Sequence, residues 1–570
     1  MIEPLALFIV TSVGFWVAYR TYGRFLARKL FVINPDNVVP AHQLADGKDF
    51  VASSRQVMFG HHFTSIAGTG PIVGPAIGII WGWLPAMLWV VVGSIFMGAV
   101  HDFGALVISM RHQGRSLSDI AGDVIVPKAR FLFFAIVSLA LLIVIAIFGL
   151  VIALIFKQFP SAVLAVWLEI PIAIVFGKWL RSSANGLWFK TLVSVVVLYI
   201  TVYLGMLFPV MLPDLGWIPV TGLWTIILLV YAFFASILPV GVLLQPRDFL
   251  NAWQLYVALG LIICGLVVSG LTGQLQFVAP MVDLNPIGAP NLWPFLFITI
   301  ACGAISGFHC LVCSGTSSKQ INSEADAQYV GYGSMLVEAL LAVVVLIAVG
   351  AGIGMAYDYQ GELLQGVAAF KAHYGSWQAS AGLGSKLTAV VIGCANMLGS
   401  IGVTQPLAVA IIGVLIASFA GTTLDSATRV QRYVISELGH SLKVNWLLNK
   451  YAATAVAVIT AACLAFSSGM DGKGALLLWP LFGAVNQLLA ALALLVITLY
   501  FSHKGYVKSL ATAIPCAIIF CLTLWATFVN QLHFWQQQQW VLCTLNVVIL
   551  SLALIMVGLA RKNVKKFKGL

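Results

Sequence analysis

The chain has 570 residues, of which 61% are hydrophobic and 9% charged, and its mean hydropathy is +1.00. Water-soluble domains carry about 25% charged residues, so this composition excludes a soluble globular fold and makes lipid the solvent. The net charge of +11 sits in short segments between apolar runs, which excludes nucleic-acid binding as its reason, and the nine cysteines, mostly inside apolar runs, read as packing residues.

Apolar stretches bounded by charges or turn residues predict an all-α polytopic membrane protein with about fifteen transmembrane helices. They fall near 3–22, 54–79, 83–110, 131–156, 160–178, 189–209, 221–245, 253–273, 293–317, 330–356, 387–425, 450–468, 476–501, 508–528 and 540–559. The first carries Glu3 where a secretory signal would be basic, and it runs to about Tyr19 without a small-residue cleavage site, so it reads as a retained helix. The stretch 387–425 is too long for one straight span and is open to one crossing or two. Three regions are expected: 1–53, a peripheral first helix and cytoplasmic loop; 54–425, a transport core; and 426–570, additional helices with a basic tail.

Lysine and arginine concentrate in cytoplasmic loops. With the N-terminus outside and the C-terminus cytoplasmic, 26 of the 30 basic residues fall in inside segments, Lys504, Lys508 and the 561–568 tail included. Only Lys157, Lys371, Lys386 and Lys473 fall elsewhere, and the alternation favours a single crossing for 387–425.

Within the second span, Gly68-Thr69-Gly70-Pro71-Ile72-Val73-Gly74-Pro75 packs five helix breakers into eight residues. Proline cannot donate to the carbonyl four residues earlier, so Pro71 is expected to free Ala67, and Pro75 to free Pro71. Unpaired carbonyls in hydrocarbon cost several kcal/mol each and persist only where protein, water or ligand meets them. This favours a discontinuous helix lining a cavity over a simple proline kink. Ser236-Ile237-Leu238-Pro239-Val240-Gly241, five spans later, is the expected second break, as an inverted repeat of five plus five helices would require.

A third segment, Ser306 to Ser318, clusters hydroxyls at one end of a span. Ser314, Thr316 and Ser317 either line a substrate or sodium site or serve as interhelical glue. Cys310 and Cys313 lie within it, beside leucine and valine with no second pair, and no metal site is expected there.

Ionisable residues inside spans are expensive and face a path or a partner. The candidates for proton coupling are His61, His62, Asp102, His309 and Glu338, with His101 beside them; Glu338 serves either as a proton carrier or as a neutral structural acid. His61 and His62 are adjacent and point to different helix faces, so one at most faces a site. Asn396, Asn486 and Gln487 read as interhelical glue. The absence of a Walker A loop, an HExxH motif and a nucleophile elbow leaves neither ATP hydrolysis nor hydrolase chemistry signalled, and no enzyme activity or organic cofactor is expected.

Six segments carry a family resemblance. They are His61-His62-Phe63 through Gly74-Pro75; Gly98-Ala99-Val100-His101-Asp102-Phe103 with Gly114-Arg115-Ser116-Leu117; Leu238-Pro239 through Arg247-Asp248; Gly303 through Gly315-Thr316; Thr423-Leu424-Asp425 through Arg432-Tyr433; and Trp479-Pro480-Leu481-Phe482-Gly483 through Leu489. In this order the chain resembles the carbon starvation protein A family of bacterial inner-membrane transporters. The resemblance implies uptake of peptides or of pyruvate during nutrient limitation, with proton symport for the pyruvate carriers. It also implies kinship with the amino acid, polyamine and organocation transporter superfamily and its inverted five-helix repeat, and would place Ser314 to Ser318 on the eighth core helix. Sodium-coupled relatives use that helix to bind the cation, so sodium stands beside the proton as the coupling ion.

The combined expectation is alternating access around a midplane site. Its residues are Ala67, Gly68, Thr69, Gly70, Pro71 and Gly74, then Ser236 and Pro239, then Ser314, Thr316 and Ser317, with a half-helix N-terminus holding the substrate carboxylate. A membrane-embedded nutrient sensor or scaffold without flux is the alternative, and a channel is disfavoured by the scarcity of charged rings.

Overall fold

The computed structural model describes residues 3–182, 186–502 and 506–567; Lys504 and Lys568, counted above among the basic residues, lie outside them. Among the described residues, twelve helices are long and apolar enough to cross a bilayer, and a bent pair makes a thirteenth. Two further expected spans take other forms: 293–317 is a pair of half-helices, and 450–468 is a shorter apolar helix.

The chain opens with α1 (Pro4–Ala18), which continues in wider turns to Leu30. The bent pair follows as α2 (Arg55–Ile66) and α3 (Gly70–Gly78), at 44° across the break. Gly82, at φ +100°, then reverses the chain into α4 (Trp83–Arg111); a Cβ there would lie 2.6 Å from the Met281 carbonyl oxygen, so only glycine fits the turn. The short α5 (Leu117–Val124) is capped by Ser116, whose hydroxyl accepts from the Asp119 amide. Pro127 sits in the first turn of α6 (Pro127–Gln158), where its missing N–H costs nothing. The hairpin α7 (Ser161–Ser182) and α8 (Leu187–Leu207) leads to α9 (Val220–Ile237) and α10 (Leu244–Leu271).

A second series then repeats the order of the first. Two half-helices, α11 (Leu292–Thr299) and α12 (Gly307–Gly315), flank a non-helical stretch and precede α13 (Ser334–Gly350). The short α14 (Gly366–Tyr374) follows a small hairpin of Tyr357–Tyr359 with Glu362–Leu364, and after α15 (Leu383–Gly399) comes α16 (Gln405–Ser441). Each series thus runs from an interrupted helix through a spanning helix, Trp83–Arg111 in the first and Glu324–Met355 in the second, and one or two short helices to its longest helix, and those two longest, α6 and α16, pack extensively on each other. The second series closes with α17 (Lys450–Ala465) and α18 (Trp479–Phe501), and α19 (Tyr506–Gln536) and α20 (Trp540–Phe567) are appended to it. The α7–α8 hairpin is an insertion in the first series.

This arrangement corrects two expectations. The partner of the first break is the 300–306 stretch, not Ser236 to Gly241. The latter is the connection between α9 and α10, and it lies against the hydrophilic loop that follows α1: the Val240 amide donates to the Lys48 carbonyl at 3.1 Å. A proline-glycine loop between two spans and a break within one carry the same local signal. Ser314 to Ser318 accordingly stand at the end of the first helix of the second series and not on an eighth core helix.

The stretch 387–425 contains one crossing. Gly384 lies against Gln158, Gly393 against Ala348, and Asn396 donates to the carbonyls of Gly352 and Ala356. All four partners are at or just beyond the ends of α6 and α13, so α15 lies along one face of the bundle and α16 alone traverses it. At the opposite face the basic segments converge. Arg111 pairs with Glu324, Arg429 with Asp49 at 3.1 Å, and Ser116 donates to Glu437 at 2.7 Å.

Candidate functional site

The first break covers Ala67 to Thr69. Ala67, with ψ +38°, ends α2, and Thr69 starts α3 without a side-chain cap. Gly70, Pro71 and Gly74 are therefore helical, and Pro71 falls in the first turn of α3, where no donor is needed; the carbonyl that loses its partner inside the helix is that of Pro71, opposite Pro75. The break occurs where expected, but glycine and threonine open it, and the proline begins the helix beyond it.

The second break, 300–306, lies directly against the first. Gly70 faces the Cys302 side chain, Gly303 touches Pro71, and a Cβ on Gly74 would stand 2.9 Å from the Thr299 carbonyl oxygen. Gly68 faces Thr423 of α16 and Phe148 of α6, and Ser65 meets Ser426 at 3.1 Å. Side chains are excluded from these positions because two unwound backbones and the two longest helices meet there.

The backbone of the second break is held by side chains from two other helices. Gly303, at φ +87°, donates its amide to Glu338 Oε1 at 3.1 Å. Asn486 Oδ1 accepts the Phe308 amide at 2.9 Å, capping α12, while its Nδ2 donates to Ser306. Gln487 donates to the Phe297 carbonyl at 2.9 Å. Asn486 and Gln487 thus bond between helices as expected, and they do so on backbone groups at and beside the second break, whereas Asn396 bonds the carbonyls that follow α13.

Three of the five proton-coupling candidates form one fully buried chain ending at this break. His101 Nδ1 lies 2.7 Å from Asp102 Oδ1, Asp102 Oδ2 lies 2.9 Å from His309 Nδ1, and His309 Nε2 faces Glu338 Oε2 at 3.4 Å. Residues 207 positions apart in sequence are thereby joined side by side. The line of alternating imidazoles and carboxylates can pass a proton along its length, and its last member is bonded to the unwound backbone itself. Cys302 Sγ, a ring nitrogen of His309 and a carboxylate oxygen of Glu338 lie within 4.8 Å of one another, a donor set of the types that divalent transition metals take. Cys310 and Cys313 instead donate to the carbonyls of Gly307 and Asp102.

His61 and His62 go elsewhere, and to different partners, as adjacent helical residues must. His61 Nδ1 pairs with Asp248 at 2.6 Å and its Nε2 meets Gln320; His62 Nδ1 meets the Ser317 hydroxyl at 2.7 Å. Ser314 donates to the Cys310 carbonyl and receives the Leu117 amide, and Thr316 donates to the Val312 carbonyl. These hydroxyls bind their own helix and its neighbours at the end of α12 far from the break. Ser236 is buried at the end of α9, and Pro239 lies in the connection that follows.

A second buried network was missed by the sequence reading. Arg247 contacts Asp425 at 2.6 Å, Glu169 at 3.5 Å, Thr422 at 2.9 Å and Tyr231; Tyr231 also donates to Asp425, and Ser418 to Glu169. It ties α7, α9, α10 and α16 together. Glu169, inside the fifth expected span, is the available signal, whereas Arg247 lies between two expected spans and Asp425 at the end of another.

The model of the family "Carbon starvation protein CstA" matches residues 3–526. The chain is 32% identical over 567 residues to "Peptide transporter CstA" of Campylobacter jejuni, covering 92% of this chain and 80% of that one. It is 31% identical to "Pyruvate/proton symporter BtsT" of Escherichia coli, covering 91% and 80%. Among solved structures it is similar to MhsT in complex with L-phenylalanine, at 12% identity and a TM-score of 0.47 over 83% of this chain and 99% of that chain.

Proposed function

The chain belongs to the carbon starvation protein CstA family, and from that premise we propose that it is a secondary-active importer of a small carboxylate-bearing nutrient, a peptide or pyruvate, driven by proton symport. It is a multi-pass membrane transporter and not an enzyme. The bacterial inner membrane is the setting the family supports, and the basic residues favour an N-terminus outside and a C-terminus in the cytoplasm.

One observation carries the coupling: Glu338 holds the Gly303 amide of the second break with one oxygen and faces His309 with the other. A change in the protonation of this chain alters the hydrogen bond that fixes the break, and the break abuts Gly70 and Pro71 of the first. The uncapped N-terminus of α3, at Thr69 and Gly70, is where the substrate carboxylate is received, because a helix start presents free amides and the positive end of its dipole. Closing and opening of the two half-helix pairs then exposes the site to either side in turn.

The test is uptake of labelled pyruvate and of a dipeptide panel into proteoliposomes, with proton and sodium gradients imposed separately. Accumulation driven by an inward proton gradient supports the reading. Binding without accumulation would make the protein a sensor, and accumulation driven by sodium alone would remove the proton from it.

A further inference from the structure

A cavity of about 860 Å³ lies outside the two breaks, between α1, α2, α10 and α13. Its inner wall is closed, since Gly60 of α2 packs against Ala252 and Phe249 of α10, with its Cβ position 3.2 and 3.3 Å from their atoms. The side away from the core is open between Trp16 and Trp188, which are 61% and 62% exposed. In a membrane protein such an opening faces lipid.

The lining has two parts. One end carries Arg20, Arg24 and Arg55. Arg55 is 3.6 Å from Asp326 and stacks at 4.1 Å over Tyr329, and Arg20 lies 5.7 Å from the Trp16 ring centre. Arg20 and Arg24 have no ion pair among the described residues, so three guanidiniums face a single carboxylate. Apart from Ser12, Gln56 and Gln328 the rest is apolar and aromatic, running from Gln328 in the turns that lead into α13 to Leu340 within it. Twelve residues of helix span about 18 Å, more than half of the roughly 30 Å hydrocarbon thickness.

A cationic mouth at the basic face of the bundle, continued by a deep apolar shaft open to lipid, fits a molecule with an anionic head and a long hydrocarbon tail. We propose that this cavity binds one anionic phospholipid of the surrounding bilayer, its phosphate between Arg20, Arg24 and Arg55 and an acyl chain between α1 and α10. Basic pockets between transmembrane helices select such headgroups. A small carboxylate would meet the arginines but leave the shaft empty. The bound lipid would fasten α1, whose outer surface is largely exposed, to the core. The proposal is independent of what the protein carries.

The full-length protein in nanodiscs, containing phosphatidylglycerol or phosphatidylcholine with brominated acyl chains at low mole fraction, provides the test. The probe is the tryptophan fluorescence lost between the wild type and Trp16→Phe. Brominated phosphatidylglycerol should quench it at a lower mole fraction than brominated phosphatidylcholine, with a preference of roughly fivefold for each arginine engaged. The variant Arg20→Gln/Arg24→Gln should lose most of that preference. Equal quenching of the Trp16 signal by the two lipids would overturn the proposal, and that comparison does not depend on the arginine variant. Displacement of phosphatidylglycerol by pyruvate or a dipeptide would also overturn it, making the cavity a substrate vestibule.

Discussion

Gly70 and Cys302 face each other across the two breaks so closely that a Cβ on Gly70 would overlap the cysteine side chain. The contact joins the start of α3 to the unwound stretch between α11 and α12, and both are parts of the proposed site.

Gly70→Leu should therefore abolish uptake while leaving membrane insertion intact, and Gly70→Ala should reduce it strongly. Cys302→Gly in the Gly70→Ala background removes the overlapping atoms and should restore a measurable part of the rate. Normal uptake by Gly70→Leu in proteoliposomes would move the site elsewhere.

Glu338→Gln keeps an acceptor for the Gly303 amide but cannot ionise. Gradient-driven accumulation should disappear while substrate counterflow, which needs no net proton movement, persists. Loss of both activities together would show that the carboxylate serves substrate exchange itself and not coupling alone, and retention of both would exclude it from coupling.

Arg247 is the shared cation of Asp425 and Glu169, all three buried. Removing one partner of a buried ion pair costs about 3–5 kcal/mol, because the other charge stays desolvated and unpaired. Arg247→Met should lower the melting temperature of the purified protein sharply, and Arg247→Met/Asp425→Asn should recover part of the loss. An unchanged melting temperature for the single variant would show that the network bears no load.

His373, on α14 at the face of the bundle, is held between the Tyr357 hydroxyl and Ser385. Burial, and after it the Lys386 ammonium, push its pKa from 6.5 down to about 4. The folded state therefore binds fewer protons than the unfolded chain between these values. This contribution to stability is complete above pH 6.5 and is lost as pH falls toward about 4. Hydrogen exchange across 357–385 should quicken over that window, and His373→Phe should flatten the dependence.

Composition and run length alone determined that the chain lives in lipid and roughly where its helices lie, since the cost of exposing a polar backbone to hydrocarbon is paid residue by residue along the chain. The first break was legible for the same reason: glycine and proline act on the backbone locally. The single crossing in 387–425 followed from the charge alternation, although the reason, that α15 lies along a face, did not.

Only the tertiary structure decided which break pairs with which, because the 300–306 stretch contains no proline and is opened by contacts: Glu338 on the Gly303 amide, Asn486 on that of Phe308, Gly70 against Cys302. It likewise joined His101, Asp102, His309 and Glu338 into one chain and Arg247, Asp425 and Glu169 into another. Charge pairing over a few ångströms between residues tens to hundreds of positions apart leaves no periodicity in a sequence; it exists only once the helices are packed.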